Sequence, residues 1–279
     1  MINQIRLTLK HYPLILWGGL IVAVLVVTAF TAPVLAPQDP NAQSLDQSLL
    51  APNWHHWLGT DQYGRDVLSR MIYGARISLA VGVVAVSLYV GIGVTIGALA
   101  GYYGGWVDIV LMRFVDIMLC IPTLFLILMV IAFVGPSIFN VMIVIGLTSW
   151  MGVARLVRGE ILSLKERDFI TAARVIGMKD ARIIFTQLLP NALGPVLVVA
   201  TVGVGSTILT ESALSFLGLG VQPPTASWGN MLTEGKEHLT DAWWLVTFPG
   251  LAIFMTVLGY NLLGEGLRDW MDPRHQGER

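Results

Sequence analysis

The sequence predicts an all-α integral membrane protein with six transmembrane helices. Hydrophobic residues make up 55% of the 279 and charged residues 13%, with mean hydropathy +0.70, which lies outside the range of soluble domains. Charge-free stretches recur at lengths that meet the roughly 20 apolar residues a membrane-spanning helix requires. They are continuous and not alternating, which argues against a closed β-barrel.

The first span is read from Pro13 to Ala36 and the second from Ile77 to Val107. The third and fourth share the charge-free segment Ile117 to Ala154, divided at Gly135-Pro136-Ser137. A fifth starts near Leu193 and runs, interrupted by Glu211, towards Leu219, and the sixth covers Ala242 to Gly264. Pro13 to Ala36 is long for the apolar region of a signal peptide and is read as a retained anchor. This divides the chain into an amino-terminal segment with its span (1–36), a polar outer segment (37–76), and a five-helix core (77–279) that carries a basic loop at about 158–190.

Counting Lys and Arg orients the bundle. One side receives twelve, including Arg6, Lys10, Arg268, Arg274, Arg279 and the seven of the Arg155 to Arg182 segment; the other receives Arg65, Arg70, Arg76 and Lys236. The positive-inside rule then places both termini in the cytoplasm. A formal net charge of −1, with the basic residues segregated by topology, argues against a nucleic-acid surface.

Residues 37–57 read as an irregular external loop, and Thr60-Asp61 as the start of an interfacial helix through Tyr73. Asp61 and Arg65 stand at pairing distance i, i+4. Gly91, Gly93 and Gly97, and again Gly203 and Gly205, are expected to let helix backbones approach closely. Gly218 and Gly220, before Pro223-Pro224, should end the fifth span, with Trp228 at headgroup level. Arg113 and Asp116 are expected to pair with each other.

Chemistry-bearing motifs are few. No phosphate-binding G-x-x-x-x-G-K-[ST] string occurs, so any ATP hydrolysis belongs to another chain. The histidines His11, His55, His56, His238 and His275 are scattered or adjacent, without ligand spacing for a metal. The single Cys120 falls in an apolar span and has no partner for an internal disulfide. Glu211 carries two readings of equal weight: it lines a pathway near the external side, or it hydrogen-bonds to another helix.

The basic loop holds a pattern. Thr171, Ala172 and Ala173 offer a short helix with small residues, Gly177 suits the left-handed position that ends it, and Leu189-Pro190 follow. The spacing resembles the EAA loop of ABC-importer membrane subunits, with Ala172, Ala173, Gly177, Leu189 and Pro190 matching. Thr171 replaces that pattern's Glu and Gln187 its Ile.

Four further strings resemble the second membrane subunit of the dipeptide, oligopeptide and nickel ABC importers, across nearly the whole chain. These are Leu58-Gly59-Thr60-Asp61-Gln62-Tyr63-Gly64-Arg65-Asp66; Ala100-Gly101-Tyr102-Tyr103-Gly104-Gly105 with Asp108; Leu214-Ser215-Phe216-Leu217-Gly218-Leu219-Gly220 with Trp228-Gly229; and Asn261-Leu262-Leu263-Gly264 with Arg268-Asp269 and Asp272-Pro273. The resemblance implies the MetI-like type I importer permease fold in a prokaryotic inner membrane. It implies a homologous second permease subunit, two ATPase subunits that hold ATP and Mg, and an external substrate-binding protein. It implies that Thr171 to Gly177, with Leu189 and Pro190, contact an ATPase, and that Gly59, Thr60, Asp61, Gly64, Arg65 and Asp66 form an external signature. Cargo is expected to be di- or oligopeptide, with nickel chelates, glutathione or another small solute as alternatives. A secondary transporter acting without ATP is the rival class, disfavoured by the lack of an internal repeat.

Overall fold

The structure, a computed structural model, describes residues 12–271. Arg6, Lys10, His11, Asp272-Pro273, Arg274, His275 and Arg279 lie outside the described residues. Helix α1 (Pro13–Phe30) starts with a proline in its first turn, where the missing N–H leaves no bond unmade, and a short α2 (Ala32–Leu35) continues it. A loop then leads to α3 (Val67–Tyr103), a single helix of 37 residues. At 1.5 Å per residue it is about 55 Å long, well beyond a hydrocarbon core of roughly 30 Å.

The expected interfacial helix is therefore not a separate element. Asp66 caps α3, its carboxylate accepting from Ser69 N at 2.8 Å, and no breaker stands between Tyr73 and Ser78 to part that first turn from the span. Thr60-Asp61, read as the start of that helix, fall in a looped turn over residues 58–66.

Helices α4 (Gly105–Leu119) and α5 (Thr123–Val134) meet at 84° across Cys120–Pro122. Pro122 cannot supply the N–H that would carry α4 onward, so the third span is broken there, and Cys120 sits exposed in the break. Ser137 caps α6 (Ile138–Thr148) at the division read from Gly135-Pro136-Ser137, and α7 (Met151–Lys165) extends the fourth span. A short α8 (Asp168–Val175) follows.

Helix α9 runs continuously over Asp180–Phe216, with a π turn at Ile184–Leu188 directly before Leu189-Pro190. The wider turn accommodates a proline that neither donates nor tolerates a close carbonyl behind it. Helix α10 (Trp228–Gly235) and helix α11 (Trp244–Met271) complete the chain. Among the described residues five helices are long and apolar enough to cross a membrane, and the bent pair α4–α5 makes six when it is counted as one span. All named elements among the described residues are helical.

Two contacts set the arrangement. Gly18 of α1 lies against Gly259 and Leu263 of α11, and Gly266 against Ile15, so these helices run antiparallel and the outer ends of α1 and α11 near residues 13 and 271 share one side. Gly93, Gly97 and Gly101 of α3 form a ladder at i, i+4, i+8 facing Val153, Val157 and Ile161 of α7, which runs parallel to it. A Cβ on Gly97 would fall 2.5 Å from the Ala154 carbonyl oxygen and 2.8 Å from Val157 Cβ. Among glycines grouped by sequence as packing residues, Gly91 stands apart, since a Cβ there meets nothing within 4 Å.

The ladder gives a paired test. Gly97→Leu should abolish accumulation of folded protein in membranes, whereas Gly91→Leu should leave it near wild type; both are read by detergent-extracted yield and elution profile.

Candidate functional site

Three features carry functional side chains: a knot of charges at the end bearing residues 37–66, a groove along α9, and the short helix α8 at the opposite, basic end.

The knot is built on the signature loop. Gly64 has φ +69, a conformation that L side chains avoid, and its backbone lies on the Ser44 carbonyl, so the chain folds back on itself. Asp61 Oδ1 accepts from Tyr63 N at 2.9 Å and Arg65 N at 3.0 Å, closing the turn, while its Oδ2 accepts from Arg65 Nε at 2.5 Å. The i, i+4 pairing expected for Asp61 and Arg65 is present, on a loop and not on a helix. Arg65 Nη2 then donates to Glu234 of α10 at 2.7 Å, and Arg70 Nη2 donates to the same oxygen at 3.2 Å.

Thr60 is fully buried; its hydroxyl donates to the Gln47 carbonyl at 2.5 Å and its carbonyl accepts from Trp244 Nε1 at 3.1 Å. Asp66 accepts from Ser69 and faces His56 Nδ1 at 3.0 Å, and Gln47 Oε1 lies 3.1 Å from His56 Nε2. Gly59, Thr60, Asp61, Gly64, Arg65 and Asp66 are thus brought together in one unit that joins the loop to α3, α10 and α11. His56, Arg70, Glu234 and Trp244 complete it; the sequence reading weighs His56 only as a metal ligand and singles out neither Glu234 nor Trp244. Glu234 lies 169 residues from Arg65, so no local spacing signals it.

Glu211 belongs to this end. It is fully buried, and one carboxylate oxygen accepts from Ser215 Oγ at 2.8 Å and from Ser227 Oγ at 3.1 Å. Ser227 is the cap of α10 and forms a capping box with Asn230. The second Glu211 oxygen is buried without a hydrogen-bond partner, close to Gly229. Of the two readings of Glu211, bonding to another segment is the one the geometry shows. Trp228, expected at headgroup level, is 1% exposed and donates Nε1 to the Met71 carbonyl at 3.0 Å, because α10 folds back onto α3.

The groove follows one face of α9. An upper cavity of about 430 Å³ is lined by Val202, Gly203, Ser206, Thr207 and Thr210 with Tyr89 and Ser149 opposite. A lower one of about 540 Å³ is lined by Asn191, Gly194 and Pro195 with Arg268 and Leu156. Val198 and Val199 border both, so the two form a continuous strip at helical spacing. Ser206 Oγ donates to the Gly203 carbonyl at 3.0 Å and Thr210 Oγ1 to the Ser206 carbonyl at 2.9 Å. With their protons spent on the helix's own backbone, these hydroxyls offer lone pairs to the groove. The residues lining the upper cavity carry no formal charge.

At the basic end, α8 closes in a Schellman turn: Met178 N donates to the Ala173 carbonyl at 3.0 Å and Gly177 N to Arg174 at 2.9 Å, with Gly177 at φ +76. Ile170 and Ala173 face inward, at 0% and 6% exposure. Thr171 and Ala172 face out, beside Phe169, Val175 and Ile176, the last two 82% and 75% exposed. The five residues taken together from the loop pattern therefore divide: Ala173 packs inward, Leu189 is half-buried, and Ala172, Gly177 and Pro190 are exposed. Asp116 takes Arg155 of α7 as its close partner at 2.6 Å; Arg113, its expected partner, stands 4.0 Å away. Among the described residues no cluster of His, Cys, Asp or Glu is placed to hold a metal ion.

The model of the binding-protein-dependent transport system inner membrane component matches residues 93–276, and that of the N-terminal transmembrane domain of oligopeptide transport permease C matches residues 2–52. The chain belongs to the first family. This permease is 43% identical over 266 residues to the dipeptide transport system permease protein DppC of Alkalihalophilus pseudofirmus, covering 95% of this chain and 88% of that one. It is also 43% identical to the glutathione transport system permease protein GsiD of Pectobacterium atrosepticum, over 92% of this chain and 86% of the relative. A solved inward-facing MetNI methionine ABC transporter shares the fold at TM-score 0.55 and 21% identity, over 71% of this chain and 93% of that one. The permease is a multi-pass inner-membrane protein with the MetI-like arrangement.

The knot yields a stability prediction. Glu234→Ala leaves the Arg65 and Arg70 guanidinium groups short of a counter-charge and should cost about 3–5 kcal/mol, the range for removing one partner of a buried pair. Thermal unfolding of the purified permease in detergent measures it, with Glu234→Asp expected to fall between the two.

Proposed function

We propose that this permease is one half of the translocation path of an ATP-driven importer of short peptides. In this reading the basic end and both termini face the cytoplasm, and the 37–66 end faces the binding protein. A homologous second permease faces the α9 groove, and two ATPase subunits, which hold ATP and Mg, engage α8. The chain itself performs no catalysis.

The observation that carries the reading is α8. Phe169, Ala172, Val175 and Ile176 form an exposed apolar stripe on a helix of eight residues, surrounded by Arg167, Asp168, Arg174 and Lys179. Such a stripe among charges lies outside the lipid and is stable in water only when a protein partner covers it. It fits the ATPase contact that the loop pattern implies.

The groove supports the transport half of the reading. An uncharged wall of hydroxyl acceptors and small side chains suits a solute that presents N–H donors and differs from molecule to molecule in its side chains, as short peptides do. Relatives named for dipeptide and for glutathione stand at the same identity, and glutathione is itself a tripeptide, so the class proposed is short peptides in the broad sense.

Two variants test the halves separately in the reconstituted complex. Val175→Asp with Ile176→Asp should leave membrane insertion intact but abolish ATPase co-purification and uptake of labelled dipeptide. Wild-type uptake by that variant would refute the docking assignment. Ser206→Trp, which fills the upper cavity, should cut uptake at least tenfold while the ATPases stay bound; unchanged uptake would remove the groove from the path.

A further inference from the structure

Tyr102 lies in the last turn of α3, 5% exposed, where three other helices meet it. Its phenol donates to Asp180 Oδ1 at 2.6 Å, the first residue of α9. Its backbone carbonyl accepts from Lys165 Nζ, the last residue of α7, at 2.5 Å. Lys165 Nζ and the guanidinium carbon of Arg174, in the last turn of α8, lie 5.7 Å and 5.8 Å from the ring centroid, within reach of the ring's negative face.

These contacts straddle a joint. Between Arg174 and Asp180 the chain passes through Gly177, at φ +76, around which a Cβ would meet nothing within 4 Å. Along the chain, a displacement of α8 reaches α9 through a turn held by two backbone bonds, Met178 N to the Ala173 carbonyl and Gly177 N to the Arg174 carbonyl. Tyr102 bypasses the turn: its ring underlies Arg174 on one side and its hydroxyl holds Asp180 on the other. It does so from α3, whose neighbouring Gly101 is pressed on Ile161 of α7, so the ring cannot withdraw without moving that contact.

We propose that Tyr102 is the positioning residue that carries movement of α8 to α3 and α9, a strut across the Gly177 joint. The proposal rests on the reading of α8 as the ATPase-contacting helix. Tyr102 would act through Arg174 and Asp180 and touch neither cargo nor nucleotide.

The test uses the full complex in liposomes, with the second permease, the ATPases and the binding protein, and measures dipeptide transported per ATP hydrolysed. Tyr102→Phe keeps the ring over which the cations sit and deletes the donor. It should lower transport per ATP by about tenfold, the scale of one hydrogen bond to a charged group, with assembly and basal ATP turnover unchanged. Asp180→Asn retains an acceptor oxygen and should keep most of the coupling, whereas Asp180→Leu should match Tyr102→Phe, and the double variant should be no worse than either single. A Tyr102→Phe complex that couples like wild type overturns the strut, as does a loss that merely tracks thermal stability or adds to that of Asp180→Leu. A wild-type complex whose uptake is independent of ATP overturns the function proposed above, and the strut with it.

Discussion

Helices in a bilayer gain nothing by hiding apolar surface from lipid, so their mutual position is set by how closely backbones fit. Here one such fit is the ladder of Gly93, Gly97 and Gly101 against Val153, Val157 and Ile161. Both series advance by four residues, so α3 and α7 are locked in register as well as in distance. That register brings Arg158 beside Asp108, where two bonds of 2.5 and 2.6 Å fasten α4 to α7, and it brings Lys165 to the end of α3. The broken third span is held to the bundle through α7 at these ion pairs. The helix that leads to α8 therefore has a fixed base.

The two ends of the bundle are built differently. At the 37–66 end, two carboxylates face two guanidinium groups in a buried arrangement that spans the loop, α3 and α10. Removing any member leaves an uncompensated charge, which makes that end stiff. The basic end is made of short elements: eight residues of α8, an open glycine turn and a π turn. Elements with few buried contacts sit at the low-stability end of a fold and are where movement is taken up. A rigid platform at one end and a jointed opposite end suit the proposed importer, in which cargo arrives at the first and the drive enters at the second.

Much of this was legible in the sequence because it is local. The spans follow from hydropathy, the break at Gly135-Pro136-Ser137 from turn chemistry, and the end of α8 at Gly177 from the glycine itself. Asp61 and Arg65 pair as their spacing predicts because a single turn supplies both. What was misread or left open depends on partners far along the chain. Trp228 is buried because it reaches Met71, 157 residues away, and Glu211, left between two readings, bonds to Ser227 because that residue caps a helix that folds back over it. Asp116 keeps Arg113 at 4.0 Å as its spacing predicts and gains the closer Arg155, which no local spacing signals, because α7 packs alongside α4. Ala172 and Ala173 are equivalent in composition and opposite in placement, since one residue step turns the helix by about 100°, from an outward face to an inward one. No single-sequence pattern at that length resolves the two.

Helix α9 ties these features together. Its first residue, Asp180, is held by Tyr102, and near its far end Glu211 is bonded to Ser227, the cap of α10, which in turn carries Glu234 of the charge knot. Between those two polar joints lies the groove, on a rod of 37 residues with soft points at the π turn and at Pro195. A helix bends at such points and transmits displacement elsewhere. Movement entering at Asp180 therefore shifts the groove-lining face relative to Tyr89 and Ser149 on the neighbouring helices before it reaches the Glu211 joint, where the stiff platform resists it. In the proposed importer that order is what alternating access requires: the wall of the path moves against a fixed outer frame, and the uncharged upper part of the groove lets the solute follow without leaving a buried charge unpaired.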